Sequence, residues 1–144
     1  MNSWKYQTTN DYFDYLDFHD CIVEEIKIEN NIVTIYFEFI YISNDHPLNP
    51  YKVAKSTDKC KLTFYNVKIS KAIIYLDDEQ EKEVQLIDLD GMELLEVKQR
   101  LVEKDFIYEI FGTDWKTHNF CSIKLKAKSF KVEWNEFTGD AWYE

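Results

Sequence analysis

The chain has 144 residues, of which 45% are hydrophobic, 17% aromatic and 31% charged, with only three Gly and two Pro. That composition excludes a disordered chain and fits one globular domain over residues 1–144, large enough to build a core without disulfide or metal staples. A formal net charge of −10 opposes the counterion release that drives DNA or RNA binding, so the expected partner is a basic protein and not nucleic acid.

The opening residues, Met1-Asn2-Ser3-Trp4-Lys5-Tyr6-Gln7, lack the apolar run of a signal peptide, and no stretch approaches the ~18 apolar residues of a membrane helix. The expectation is a cytoplasmic protein with no membrane partner. Cys21, Cys60 and Cys121 form an odd set without CxxC spacing, which predicts reduced, buried thiols. The acidic excess lies in two blocks, residues 1–48 and 77–114.

The first clear element is a hairpin. Ile22, Ile26 and Ile28 share one parity, and Val33, Ile35, Phe37, Phe39 and Tyr41 share another, the period of half-buried strands. Asn30-Asn31 suits a two-residue turn, which pairs Ile28 with Val33, Ile26 with Ile35 and Ile22 with Phe39. Glu24 then falls on the apolar face opposite Phe37, which predicts a bulge there or a partner for its carboxylate. Residues 43–59, with His46-Pro47 and Asn49-Pro50, read as a long loop.

The next strand, 61–76, switches parity after Phe64, which predicts a bend near Tyr65-Asn66. An acidic turn follows, and 84–89 reads as a short strand. Asp90-Gly91-Met92-Glu93 has capping-box spacing, and Leu94, Val97 and Leu101 follow at helical spacing; they predict one short helix, although Leu95 and Val97 also fit a strand. Phe106, Tyr108 and Ile110 then alternate toward a turn at Gly112-Thr113-Asp114. Cys121, Ile123, Leu125 and Ala127 alternate with Lys124, Lys126 and Lys128, and Phe130, Val132 and Trp134 continue the pattern. The predicted fold is mainly β (α+β), an antiparallel sandwich or strongly curved sheet of six or more strands with one short helix.

Catalytic signals are sparse. No Gly-x-Ser-x-Gly elbow and no Gly-rich phosphate loop occurs, so no catalytic residue, metal ligand or cofactor is expected. His19 and Asp20 support an alternative, a small hydrolytic or metal-binding enzyme completed by a residue of the 43–59 loop. The expected contact residues are instead Asp77, Asp78, Glu79, Glu81 and Glu83, an anion-rich surface for a Lys/Arg patch, together with Trp115 in a polar turn. Trp142-Tyr143 is expected to pack back on the core. A further alternative is a structural or oligomerisation module.

Two segments, Phe18-His19-Asp20-Cys21-Ile22-Val23-Glu24-Glu25-Ile26 and Gly139-Asp140-Ala141-Trp142-Tyr143, resemble segments of small acidic bacterial immunity proteins of polymorphic-toxin systems. The resemblance covers these segments alone and carries no functional residues with it. It implies a neighbourhood of such proteins and of related uncharacterised families, not an activity. The two acidic blocks and the absence of a catalytic constellation give the expected function, a non-enzymatic protein that binds and neutralises another protein such as a basic toxin domain.

Overall fold

The computed structural model describes residues 4–77 and 80–143, which form fourteen strands and no α-helix. In chain order these are β1 (Tyr6–Thr9), β2 (Leu16–Asp17), β3 (Val23–Glu29), β4 (Ile32–Phe37), β5 (Tyr41–Ile42), β6 (Lys55–Thr57) and β7 (Cys60–Tyr65). There follow β8 (Ile69–Tyr75), β9 (Glu81–Val84), β10 (Glu93–Val102), β11 (Asp105–Asp114), β12 (Asn119–Ala127), β13 (Ser129–Trp134) and β14 (Phe137–Asp140). All the strand pairs are antiparallel, in three sheets ordered β1-β13-β7-β4-β3, β10-β11-β12-β8-β9 and β14-β6-β5-β2.

The first hairpin follows its alternation. Ile28 pairs with Val33 and Ile26 with Ile35, and Asn30 takes the left-handed conformation (φ 56°) that Asn tolerates in a tight turn. A bulge between Val23 and Glu25 shifts the register, so Val23, not Ile22, enters the core opposite Phe37. The expected Ile22–Phe39 pair therefore does not form; Ile22 instead bridges to Glu93. Glu24 has moved out of the apolar face and lies 3.5 Å from Lys59 Nζ.

The parity switch at Tyr65-Asn66 is a corner between two sheets. The chain leaves the first sheet after β7, passes Asn66 at φ 53° and enters the second as β8. β12 and β13 cross in the same place, tied alongside by Lys128 N–H to Tyr65 O (3.0 Å) and Lys68 N–H to Lys126 O (2.7 Å). The two sheets therefore face each other across one core, in which Tyr108 of β11 packs edge-on to Phe64 of β7 (4.9 Å) and Phe130 of β13 (5.7 Å). Burying rings of this size stabilises the fold by about 1.5–3 kcal/mol each.

Three expectations are corrected. The segment 93–102 is strand β10, not a helix, because the bulge between Leu94 and Glu96 inserts a residue; inward Leu94 and Val97 then stand three apart, imitating helical spacing. The short strand expected over 84–89 lies earlier, at Glu81–Val84, and Leu86–Leu89 is a 3-10 turn. The turn expected at 112–114 comes after Asp114. Gly112 is inside β11, where a Cβ would collide with the Glu93 carbonyl oxygen, so glycine permits β10 to approach.

The loop expected over 43–59 is shorter, because Lys55–Thr57 is strand β6 between β5 and β14, and its remaining part, 43–54, is organised by two buried side chains. Asn49 Nδ2 donates to the carbonyls of Ile42, Ser43 and Val53, and its Oδ1 accepts the Tyr51 N–H. His46 joins the loop to β1 through Thr8 Oγ1 at 2.9 Å. No helix is long and apolar enough to cross a membrane among the described residues.

Candidate functional site

The second sheet turns Ala72, Ile74, Tyr108, Ile110, Cys121, Ile123 and Leu125 into the core, so the alternate residues of the same strands stand on its outer face. The register arranges them in rows across the strands. One row runs Glu83, Ile73, Ser122, Phe111, Glu96. The next toward the corner runs Lys71, Lys124, Glu109, Lys98, and the one beyond it Ile69, Lys126, Ile107, Arg100. On the other side of the first row, Glu81 stands opposite Tyr75, and Phe120 opposite Thr113.

The face is divided by charge. Glu81, Glu83 and Glu96 occupy the end nearest the β11–β12 turn, whereas Lys71, Lys98, Lys124, Lys126 and Arg100 occupy the end nearest the corner, with Glu109 among them. Lys98 lies 3.7 Å from Glu96, and Arg100 3.9 Å from Glu109. Lys71, Lys124 and Lys126 make no ion pair among the described residues, although Lys71 and Lys124 are direct cross-strand neighbours, an arrangement that costs stability. A shallow trough of about 520 Å³ crosses the boundary, lined by Ile73, Tyr75 and Phe111 on one side and Lys71, Lys98 and Lys124 on the other.

Aromatic rings are concentrated at the acidic end. Phe111 and Phe120 stack at 5.5 Å, Tyr75 lies 6.3 Å from Phe111, and the Tyr75 hydroxyl is 2.8 Å from Ser122 Oγ. Phe111 is 36% exposed, Phe120 54% and Trp115 52%. A set of solvent-facing rings rimmed by polar groups is characteristic of binding surfaces, since apolar area left in water is what a partner removes.

The expected contact residues fall at the margin of this face. Glu81 and Glu83 are on its edge strand β9, and Asp77 is exposed just beyond β8. Asp78 and Glu79 lie outside the described residues. Trp115 stands in the turn after β11 with its ring 6.3 Å from His118; Lys116 anchors that turn to Asp88 O (2.6 Å) and Asp90 Oδ1. Sequence reasoning missed the lysine rows and the Phe111–Phe120 pair, because their members come from separate strands and meet only through the register.

His19 and Asp20 occupy a different region. His19 Nε2 is 3.5 Å from Asp20 Oδ1, and its ring lies 5.8 Å from Trp142. His46, from the loop expected to complete such a site, is committed to Thr8 and to the Leu48 N–H. Among the described residues no group of three or more His, Cys, Asp or Glu side chains is placed to hold a metal ion. All three thiols are buried, and burial pushes each up, Cys121 to about 12, which makes them poor nucleophiles. Trp142 and Tyr143 pack back only in part: they are 62% and 43% exposed, the Tyr143 ring meets the core Tyr41 ring edge-on at 5.6 Å, and the buried Ala141, bonded to Ala54 O at 2.9 Å, pins this segment.

The chain matches no known protein-family model, no curated protein and no solved structure.

Proposed function

We propose that the chain is a non-enzymatic cytoplasmic protein that binds another protein, an immunity-type inhibitor that covers a basic toxin domain. The contact is the acidic, aromatic end of the second sheet: Phe111, Phe120 and Trp115 as buried anchors, with Asp77, Glu81 and Glu83 as a rim that attracts lysine and arginine. The observation that carries this reading is the stacked, half-exposed Phe111–Phe120 pair, next to Glu96 of β10 and in the rows that end across β8 in the carboxylates of β9. Inhibition follows by occlusion, and the opposite charges speed encounter.

Co-expression with the products of flanking genes, followed by association kinetics on any basic partner retained, tests the reading. The expected on-rate falls as salt rises, and Phe120→Ala and Trp115→Ala each accelerate dissociation by about tenfold or more. A partner whose binding is indifferent to salt and to both substitutions refutes it.

A further inference from the structure

The outer face of the second sheet carries more than a contact for a basic partner. A surface split into a negative and a positive half along a straight line is complementary to itself about a twofold axis lying on that line, because the rotation lays each half over the other. Here the line runs across the strands, between the row containing Glu83, Phe111 and Glu96 and the row containing Lys71, Lys124 and Lys98. We infer that this face docks against a second copy of the chain, the two sheets packing with strands antiparallel and each carboxylate end over the other's lysine end.

The rows specify what meets. Every strand lies over its own counterpart with the row order reversed, so Glu96 faces Lys98 of the second copy, Tyr75 faces Ile69, and the exposed Phe120 ring faces Lys126. The first is an ion pair, the second an apolar contact and the third a cation over an aromatic face. Packed sheets are rotated by about 30°, which leaves the central rows matched and brings Glu83 toward Lys71 at the margin. Lys71 and Lys124 come to face Ile73 and Ser122 of the second copy, so the carboxylates gained across the interface are Glu96, shared with Lys98 of both copies, and Glu83, beside Lys71 at the margin.

The area sets the strength. The four strands that carry all the rows, at about 4.8 Å spacing, and four rows at about 6.8 Å project to roughly 500 Å² per copy. Two copies bury about 1,000 Å², the lower limit for a specific interface, so the dimer is reversible and concentration-dependent. It rests on charge more than on apolar area and is weakened by salt. A basic partner that covers Glu81 and Glu83 displaces the second copy, while a partner bound elsewhere leaves the dimer intact, so the two readings stand or fall separately.

Sedimentation equilibrium of the full chain over a range of concentrations, at low and high salt, is the first measurement. A monomer–dimer equilibrium whose dissociation constant rises by about tenfold or more with salt is expected. A monomer at all concentrations, or a dimer indifferent to salt, overturns the inference. Two charge-reversed variants then test the geometry: one carrying Lys71→Glu, Lys98→Glu and Lys124→Glu, the other carrying Glu81→Lys, Glu83→Lys and Glu96→Lys. Each alone is expected to be monomeric, and an equimolar mixture to form a heterodimer tighter than the wild-type dimer. Folded variants that dimerise alone, or a mixture that stays monomeric, overturn it. Should either variant fail to fold by circular dichroism, the salt dependence of the wild-type chain decides.

Discussion

His46 is one of the two buried side chains that organise the loop before β6, and its hydrogen bonds fix its protonation. Nδ1 accepts the Leu48 N–H at 3.0 Å and so carries no proton, which leaves Nε2–H to donate to Thr8 Oγ1. The ring is 2% exposed and packs near Tyr12 and Trp134, and burial holds its pKa below the ordinary histidine value. A folded pKa below the unfolded one, about 6.5, means that the unfolded chain takes up a proton first as pH falls. Stability is therefore full above about pH 6.5 and declines below it. Urea midpoints measured between about pH 7 and pH 5 are expected to fall, and His46→Gln to be less stable at neutral pH with a flatter profile over that window. A midpoint independent of pH in the wild-type chain contradicts this account. Gly112 is critical for a steric reason: Gly112→Ala drives a methyl into the Glu93 carbonyl, and separating β10 from β11 to relieve it costs about 1–3 kcal/mol or more. A denaturation midpoint within error of wild type for that variant shows that β10 sits further off.

Strands differ in how firmly they are held, and their place in the sheets says how. β12 has β11 on one side and β8 on the other, and β7 lies between β13 and β4, whereas β9 and β14 are short edge strands. Amide hydrogen exchange is expected to be slowest at Leu62, Ile110 and Ile123 and faster by about a hundredfold or more across Glu81–Val84 and Phe137–Asp140. Uniform protection across a whole sheet contradicts that ranking. The same contrast separates what the sequence discloses from what it conceals. The Ile26–Ile35 and Ile28–Val33 pairs are readable because alternation and an Asn-Asn turn act within one hairpin. The corner at Asn66 is readable as a change of parity. β1 is four residues long and pairs with β13 across the length of the chain, from Tyr6 to Trp134, so no local pattern announces it. β10 is misleading because Gln99, whose Nε2 reaches Asn10 O at 3.5 Å, breaks the apolar alternation that the Leu94 bulge has already displaced. The alternation of Lys124 and Lys126 shows a wet strand face in the sequence, but only the register sets Lys71 and Lys98 into the same row.

At the scale of the molecule, a net charge of −10 coexists with one cationic field, and salt acts on the two in opposite senses. Excess negative charge on a compact chain repels itself, and dissolved ions screen that repulsion, so added salt stabilises the isolated fold. The lysine rows face the other way: their counterpart is the carboxylate end of a second copy, and the same ions weaken that attraction. At dilutions where the chain is monomeric, the urea midpoint is expected to rise with sodium chloride. At concentrations where it is dimeric, the dimer contributes a stabilisation of its own by mass action, and this part shrinks with salt. The two midpoints therefore converge as salt increases, and in the Lys71→Glu, Lys98→Glu, Lys124→Glu variant they coincide at every salt concentration. Midpoints that rise in parallel at both protein concentrations place the charge balance wholly within a single copy and leave the cationic face without a counterpart in the second.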